Sequence, residues 1–428
     1  MEILKTITQF STQVLTNVVF VISMYYLCVS FFGLWRIKDK RVFAPKNSFA
    51  LIVAAHNEEA VVQDIVVSLK RLDYPKELYD IFVIADNCTD KTAEKARQEG
   101  AIVLERFNKN KRGKGYALEW AFEKLFKMEK QYDSVVIFDA DNLASKNFLT
   151  EINKKMCEGY KVVQGFLDSK NPEDTWITGS YSIAFWTNNR MFQLARHNLG
   201  LSNQLGGTGF SISTDTLKEL GWGATCLTED LEFSCKLVMN GHKVGWAHDA
   251  IMYDEKPLTL AQSWKQRKRW MQGFADVASR YFFKLIKVAL KERSFVALDC
   301  ALYTIQPIVI ILVGVSGLVS VTREILSIYN SIFNFMVNMD SVVYTLDINL
   351  VKIGLILLAI LNVVYTPFIL ILEKKLNFKV FLYYLIYPLY LLTWLPISIQ
   401  GIIDRNNKEW SHTLHTRSVN ITDLEKVN

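Results

Sequence analysis

Hydrophobic positions along this chain follow two different rhythms. Four stretches contain no charged residue and reach the roughly 20 residues that a hydrocarbon core demands: Thr6–Trp35, Cys300–Thr322, Ile353–Leu372 and Val380–Ile403. Between the first two, the apolar runs are short and alternate with amphipathic segments. Phe49–Ala55, Asp80–Ala85, Ala101–Arg106 and Ser134–Phe138 read as strands. Glu58–Arg71 (with Val61, Ile65, Leu69 and Leu72 at helical spacing), Thr89–Glu99 and Gly113–Lys127 read as helices. Strand alternating with helix predicts βαβ units and a parallel sheet covered on both faces.

Charge orients the apolar stretches. The first is too long for a signal peptide and no small-residue cleavage site follows it, so it reads as a retained anchor. Arg36, Lys38, Lys40, Arg41 and Lys46 come directly after it, which by the positive-inside rule puts everything up to Asp299 in the cytoplasm. Arg323–Lys352, with Glu324, Asp340 and Asp347, suits the outside, and Glu373–Lys379, with three lysines, the inside. Pro388 and Pro396 interrupt the last stretch and leave the side of the tail from Asp404 open.

Composition adds mainly exclusions. Half of the 428 residues are apolar and 21% are charged, which rules out disordered or collagen-like character. A net charge of +6 is too slight to mark a nucleic-acid binder. The six cysteines show neither a C-x-x-C pair nor zinc spacing and read as reduced, space-filling thiols.

Three predicted strands end in polar clusters: His56-Asn57-Glu58-Glu59, Asp86-Asn87-Cys88-Thr89-Asp90 and Asp139-Ala140-Asp141-Asn142. In an open α/β sheet such ends form the ligand edge. Acidic groups there repel an anion unless it donates hydroxyls or arrives with a divalent cation, and a sugar nucleotide does both. Asp-x-Asp suits Mg2+ or Mn2+ through hard oxygen ligands. Taken alone, Asp-x-Asp is also a common turn, and Asp90 reads more simply as a helix cap. Lys114, between glycines in Asn110–Gly115, could neutralise a diphosphate or be a solvated loop. Thr228-Glu229-Asp230 opens a helix, where the dipole favours one acid and proton transfer gives a use for two. Finally, Gln266, Arg269 and Trp270 lie on a segment from Leu258 to Glu292 with a basic and an aromatic face. Lying in a membrane interface explains that amphipathicity; a phosphate clamp with an aromatic floor explains the three residues together.

In order, Asp86, Asp139/Asp141, Thr228-Glu229-Asp230 and Gln266-x-x-Arg269-Trp270 resemble the signature of processive, membrane-embedded family 2 glycosyltransferases, the cellulose, hyaluronan, chitin and poly-N-acetylglucosamine synthases. Gly206–Phe210 and Tyr253–Pro257 are also similar, and the likeness runs from about Phe49 to Gly273. The resemblance implies an α/β, Rossmann-like GT-A domain over 45–257, between an anchor (1–35) and a membrane region (298–403). Amphipathic interface helices would span 258–292. It implies that Glu58 and Asp86 hold uridine, Lys114 the diphosphate, and Asp139 and Asp141 the metal and sugar. Asp230, beside Glu229, would be the base, and Gln266, Arg269 and Trp270 would grip the leaving nucleotide and the chain terminus. The expected partners are a UDP-sugar, a growing polysaccharide and the bilayer, with no nucleic acid. The product leans to a β-glucan from UDP-glucose, against UDP-N-acetylglucosamine polymers or single transfer to a lipid. A protein that merely senses a nucleotide is the third class. A bacterial multi-pass membrane protein is expected. Only about 25 residues follow Ile403, so no cyclic-dinucleotide-sensing domain is expected; Trp410, Thr413, His415 and Arg417 vaguely resemble the family's mobile loop.

Overall fold

The computed structural model describes the chain apart from residues 1, 38–39, 224, 339–362, 408–416, 418, 420 and 426–428. Strands β1 (Phe49–Ala55), β2 (Tyr79–Asp86), β3 (Ile102–Arg106), β4 (Ser134–Asp139), β5 (Leu143–Ala144), β6 (Val162–Ser169), β7 (Phe210–Ser213) and β8 (Val244–Asp254) form one sheet. Their order is β3-β2-β1-β4-β7-β6-β8-β5. Helix α1 (Glu2–Phe31) precedes the sheet. Helices α2 (Val62–Lys70), α3 (Thr92–Gln98), α4 (Lys114–Leu125), α5 (Phe148–Cys157), α6 (Trp176–Asn188), α7 (Ala195–Asn198), α8 (Thr214–Leu220) and α9 (Glu229–Met239) are threaded through it. After it come α10 (Leu260–Lys291), α11 (Phe295–Thr304), α12 (Gln306–Asn338), α13 (Val363–Leu372), α14 (Phe378–Leu392), α15 (Trp394–Ile403) and α16 (Ile421–Glu425).

Alternate side chains of β1 point to opposite faces and build two cores. Phe49, Leu51 and Val53 meet Ile65, Leu69 and Ile152 on one side, while Ala50 and Ile52 meet Leu118, Phe122 and Phe233 on the other. β1 to β4 are mutually parallel, as the repeating strand–helix pattern predicts. The sheet as a whole is mixed. β7 runs antiparallel between β4 and β6, and β5 antiparallel to β8. The expectation of a purely parallel sheet is corrected there: β5 and β7 span two and four residues, too short to register as periodic runs.

The chain winds from β1 outward to β2 and β3, then crosses to β4 on the other side of β1. That reversal opens a crevice at the carboxyl ends of β1 and β4, where open α/β sheets take their ligands.

Among the described residues, Phe10–Phe31, Gln306–Tyr329 and Phe378–Ile403 are long and apolar enough to cross a membrane. The stretch Ile353–Leu372 lies largely outside the described residues, and its end forms α13. The last stretch is broken at Thr393, between α14 and α15. Buried ion pairs tie these helices to the sheet domain. Arg196 of α7 grips Asp299 of α11 with both at 1% exposure, and Tyr25 of α1 donates to the same carboxylate. Arg190 reaches Glu373, just past α13, at 2.7 Å.

The tail, whose side the hydropathy left open, returns to the sheet domain. Lys268 pairs with Asp404, the Arg417 amide donates to Glu255 Oε2 at 3.2 Å, and Ile421 packs on Leu143 and Tyr253. Of the four residues likened to a mobile loop, Arg417 alone is among the described residues.

Candidate active site

The loop after β1 turns at Asn57 and that after β2 at Asn87, both in the left-handed region that asparagine tolerates better than most residues. The two loops stitch together: the Thr89 amide donates to Asn57 Oδ1 at 2.8 Å and the Glu59 amide to Asp90 Oδ2 at 3.1 Å. Asp90 Oδ1 also accepts the Thr92 amide at 3.0 Å, so this acid serves the turn before α3. Burial opposes its charge, but the bonds from Thr92 and Glu59 prevail and hold its carboxyl below the ordinary value.

Asp86 closes β2 and is buried. Arg106, at the end of the neighbouring β3, donates to Asp86 Oδ1 at 2.5 Å, and Asn87 Nδ2 donates to the same oxygen at 3.0 Å. The other arm of Arg106 holds the Lys111 carbonyl at 2.7 Å, pinning the glycine-rich loop. Gly113 then adopts φ 112°, which turns the chain into α4 and puts Lys114 at its first position. The Lys114 ammonium pairs with Asp139 and donates to the Gly207 carbonyl at 2.6 Å.

Asp139 ends β4. Its amide is fixed by Asn142 Oδ1 and Thr208 Oγ1, at 2.9 and 3.1 Å. Asp141 Oδ2 accepts the Glu255 amide at 3.0 Å. Asp139 and Asp141 thus stand on a tight turn held by Asn142 within it and by two further loops, at Thr208 and Glu255.

Glu229 and Asp230 form the first turn of α9 and are half-buried. Asp230 faces Gly207, where an added Cβ would sit 3.5 Å from Asp230 Oδ2. Burial, then the charge of Asp230, pushes the Glu229 carboxyl up to about 7. Burial also raises Asp230, against the Leu231 amide and the Lys114 charge that lower it. Two acids sharing one desolvated helix end titrate as a pair.

Helix α10 begins with a capping box between Thr259 and Gln262 and supplies the last wall. Tyr181 donates to Gln266 Oε1 at 2.5 Å. Trp270 stands edge-on to Tyr181, with centroids 5.9 Å apart, and against Phe185 at 6.2 Å. The aromatic face of α10 is largely protein core. Phe274, Tyr281, Phe282 and Ile286 pack with Leu231 and Cys235 of α9 and with Ala297 and Ala301 of α11. Phe283 and Leu290 point outward, as does Phe295 of α11.

Glu58, Asp86, Lys114, Asp139, Asp141, Glu229, Asp230, Gln266, Arg269 and Trp270 all line one cavity of about 420 Å3. The residues that sequence reasoning overlooked are those that aim the others. Arg106 was legible as a polar strand end beside Asp86; Tyr181 and Phe185, on α6, carried no local signal.

A deep acidic crevice at the strand-order reversal of a mixed α/β sheet, walled by a helix carrying Gln-x-x-Arg-Trp, defines a GT-A glycosyltransferase. A family model described as "Glycosyltransferase like family 2" matches residues 45–273, more than half of the chain, and the chain belongs to that family. It is 26% identical over 270 residues to a probable glycosyltransferase, YdaM, of Bacillus subtilis (strain 168), covering 61% of this chain and 62% of that one. It is 28% identical over 261 residues to a beta-monoglucosyldiacylglycerol synthase of Nostoc sp. (57% and 52%). A poly-beta-1,6-N-acetyl-D-glucosamine synthase of Staphylococcus epidermidis is 26% identical over 265 residues (56% and 58%). The chain thus spans between half and two thirds of the length of these relatives. The mannosyltransferase PcManGT from Pyrobaculum calidifontis, solved with GDP-Man and Mn2+, shares the fold. Its TM-score is 0.57 at 16% identity, over 92% of this chain and 97% of that one.

Proposed function

We propose that this enzyme transfers a hexose, glucose in the first instance, from UDP to a hydroxyl at the membrane with inversion, and repeats the step to build a β-glycan. The observation that carries the reading is the meeting of all ten candidate residues in one cavity beside apolar helices.

The donor end favours uridine. A carboxylate oxygen offers two lone-pair sites, and Arg106 and Asn87 both donate to Asp86 Oδ1. Oδ2 is left to meet a base. One acceptor matches the lone N3–H of uracil; guanine presents two adjacent donors and asks for both oxygens. PcManGT, a neighbour in fold, was solved with GDP-Man, so the distinction is a real one within the fold.

The donor set fits a cation that arrives with the diphosphate. Among the described residues no group of three or more His, Cys, Asp and Glu is placed to hold a metal. Mg2+ and Mn2+ are commonly held by one or two carboxylates plus substrate phosphates, and Asp139 and Asp141 offer that number. When bound, the ion would supply charge stabilisation for the departing diphosphate. The remaining work belongs to the chain. Asp230 takes the proton of the acceptor hydroxyl as its oxygen bonds to the anomeric carbon on the face opposite UDP. Lys114 and Arg269 balance the charge left on the diphosphate as the old carbon–oxygen bond breaks. Trp270 and Phe185 offer aromatic surface to the acceptor sugar, with Tyr181 buried behind them. The contacts of the tail support a topology in which α10, the tail and the sheet domain share one side, and the lysines and arginines after α1 favour the cytoplasmic one.

A second reading, single transfer to a lipid hydroxyl, is favoured by the outward-facing Phe283, Leu290 and Phe295 and by the glycolipid synthase among the relatives. The test is incubation of the purified full chain with UDP-glucose, UDP-N-acetylglucosamine or GDP-mannose, with Mg2+, Mn2+ or chelator, followed by linkage-specific hydrolases. A β-glucanase-sensitive polymer made from UDP-glucose, and abolished by chelator or by Asp141→Ala, is expected. A product extracted wholly into organic solvent selects the lipid reading, and turnover of GDP-mannose alone overturns the uridine assignment.

A further inference from the structure

Helices α9 and α10 carry the two halves of the reacting constellation, Glu229 and Asp230 on one, Gln266, Arg269 and Trp270 on the other. The sheet does not connect them. What does, beside the apolar packing of Phe274, Tyr281 and Phe282 on Leu231 and Cys235, is a polar brace around Glu232, one helical turn beyond Thr228. Glu232, at 3% side-chain exposure, accepts from Arg280 Nη1 at 2.9 Å and from the Tyr281 hydroxyl at 3.0 Å, both on α10. It also accepts the Thr225 amide at 3.3 Å and the Thr225 hydroxyl at 3.0 Å. Arg280 in turn reaches Thr225 Oγ1 at 2.8 Å and Asp276 at 3.2 Å. Thr225, Cys226, Leu227 and Thr228 form part of the cavity wall, so the brace gathers that wall, α9 and α10 at one point.

A second contact lies two turns back along α10. Gly273 packs so tightly on Thr228 that a methyl group added there would collide with the threonine side chain. Apolar packing alone lets α10 slide; two directional contacts, seven residues apart along it, fix both its register and its angle.

We propose that Glu232, Arg280 and Gly273 are positioning residues that hold Asp230 in register with Arg269 and Trp270, and that they govern the transfer step rather than nucleotide binding. The donor contacts at Asp86, Arg106 and Asp139 sit on the sheet, away from the brace. Loosening the brace therefore leaves the sheet-borne nucleotide contacts in place, with Arg269 the one diphosphate contact that shifts, while the acceptor hydroxyl loses its alignment with base and anomeric carbon. An error near 1 Å in such alignment is worth about a hundredfold in rate.

This inference rests on the reading of Asp230 as base, and the experiment keeps the two apart. Glu232→Gln, Arg280→Lys, Gly273→Ala, the double variant Glu232→Gln/Arg280→Gln and Asp230→Asn are compared in UDP release and in UDP binding by calorimetry. Expected for Glu232→Gln is a fall in kcat of about ten- to a hundredfold, with KM for the UDP-sugar and Kd for UDP within about twofold. Arg280→Lys, which keeps the charge, recovers part of the loss, and the double variant loses no more than Glu232→Gln alone. Wild-type kcat in folded Glu232→Gln, or parallel loss of kcat and UDP affinity in it and in Arg280→Lys, overturns the proposal. If Gly273→Ala does not fold, the Glu232 and Arg280 variants decide alone. Undiminished turnover in Asp230→Asn instead overturns the base assignment, whatever Glu232 does.

Discussion

The nucleotide half and the acceptor half of the crevice are built by different means. In the first, the acids stand at parallel strand ends, and the uridine side is aimed from adjoining strand ends: Asp86 by Asn87 and Arg106, Asn57 and Asp90 by each other's loops. In the second, Gln266 and Trp270 are aimed by Tyr181 and Phe185, more than 80 residues earlier in the chain, and Tyr181 is backed by Tyr390 on α14. Strand ends are placed by topology; helix faces are placed by packing against other helices. The nucleotide half can therefore tolerate change in the membrane helices, whereas the acceptor half inherits every shift of α10 and α14.

Asp230 belongs to both halves, and removing its charge gives the largest effect. Asp230→Asn is expected to lower sugar transfer by about a thousandfold or more, the upper range for a lost general base. UDP affinity should change little. Retained turnover would mean that the acid merely caps α9, and the two halves would then lack a shared reacting group.

Trp270→Ala separates the halves most directly. It removes the ring against Tyr181 and Phe185 but touches none of the contacts around Asp86 or Asp139. Product yield or chain length is expected to fall about tenfold to a hundredfold, a few kcal/mol of acceptor stacking and alignment, while the KM for the UDP-sugar holds. Equal loss in both quantities would show that Trp270 itself, and not Arg269 alone on α10, seats the nucleotide.

This division also explains what was legible in the amino-acid sequence. Strands β1 to β4, their acidic ends and Lys114 could be read because a repeating pattern of strand and helix fixes where carboxyl ends meet. Strands β5 and β7 could not, since two and four residues carry no period. On α10, Phe274, Tyr281 and Phe282 read as a membrane-facing stripe because an amphipathic helix looks alike whether lipid or protein covers it. Only the neighbours α9 and α11 distinguish the two. The return of the tail to Glu255 and Tyr253 had no periodic signature, only the loose likeness of residues such as Arg417 to a mobile loop.

The pH dependence tests the shared helix end. Burial raises both Glu229 and Asp230; the charge of Asp230 helps bring Glu229 to about 7, and that of Asp139 adds to the rise at Asp230. Transfer needs the base unprotonated, so kcat/KM should rise with pH through an apparent value above the ordinary aspartate range and level off above it. Stability runs the other way. The folded pair holds protons that the unfolded chain has released, so stability falls as pH rises from about 4.5 towards 7, then becomes flat. In Glu229→Gln the rising limb should remain, because burial of Asp230 is its main cause. A limb that disappears would assign the titration to Glu229.

Asp90 gives the smallest effect and the cleanest contrast with Asp230, since both are acids at the start of a helix. Its oxygens hold the Thr92 and Glu59 amides and belong to the turn. Asp90→Ala is expected to lower unfolding stability by about 1 kcal/mol, the usual worth of such a side-chain acceptor, with kcat within twofold of the parent. Because its carboxyl lies below the ordinary value, the stability it adds is present above about pH 4 and is lost as pH falls through the folded value. The difference between parent and variant in thermal melts should therefore narrow in acid. A variant that melts like the parent at neutral pH yet loses transfer would move Asp90 from the scaffold into the nucleotide site.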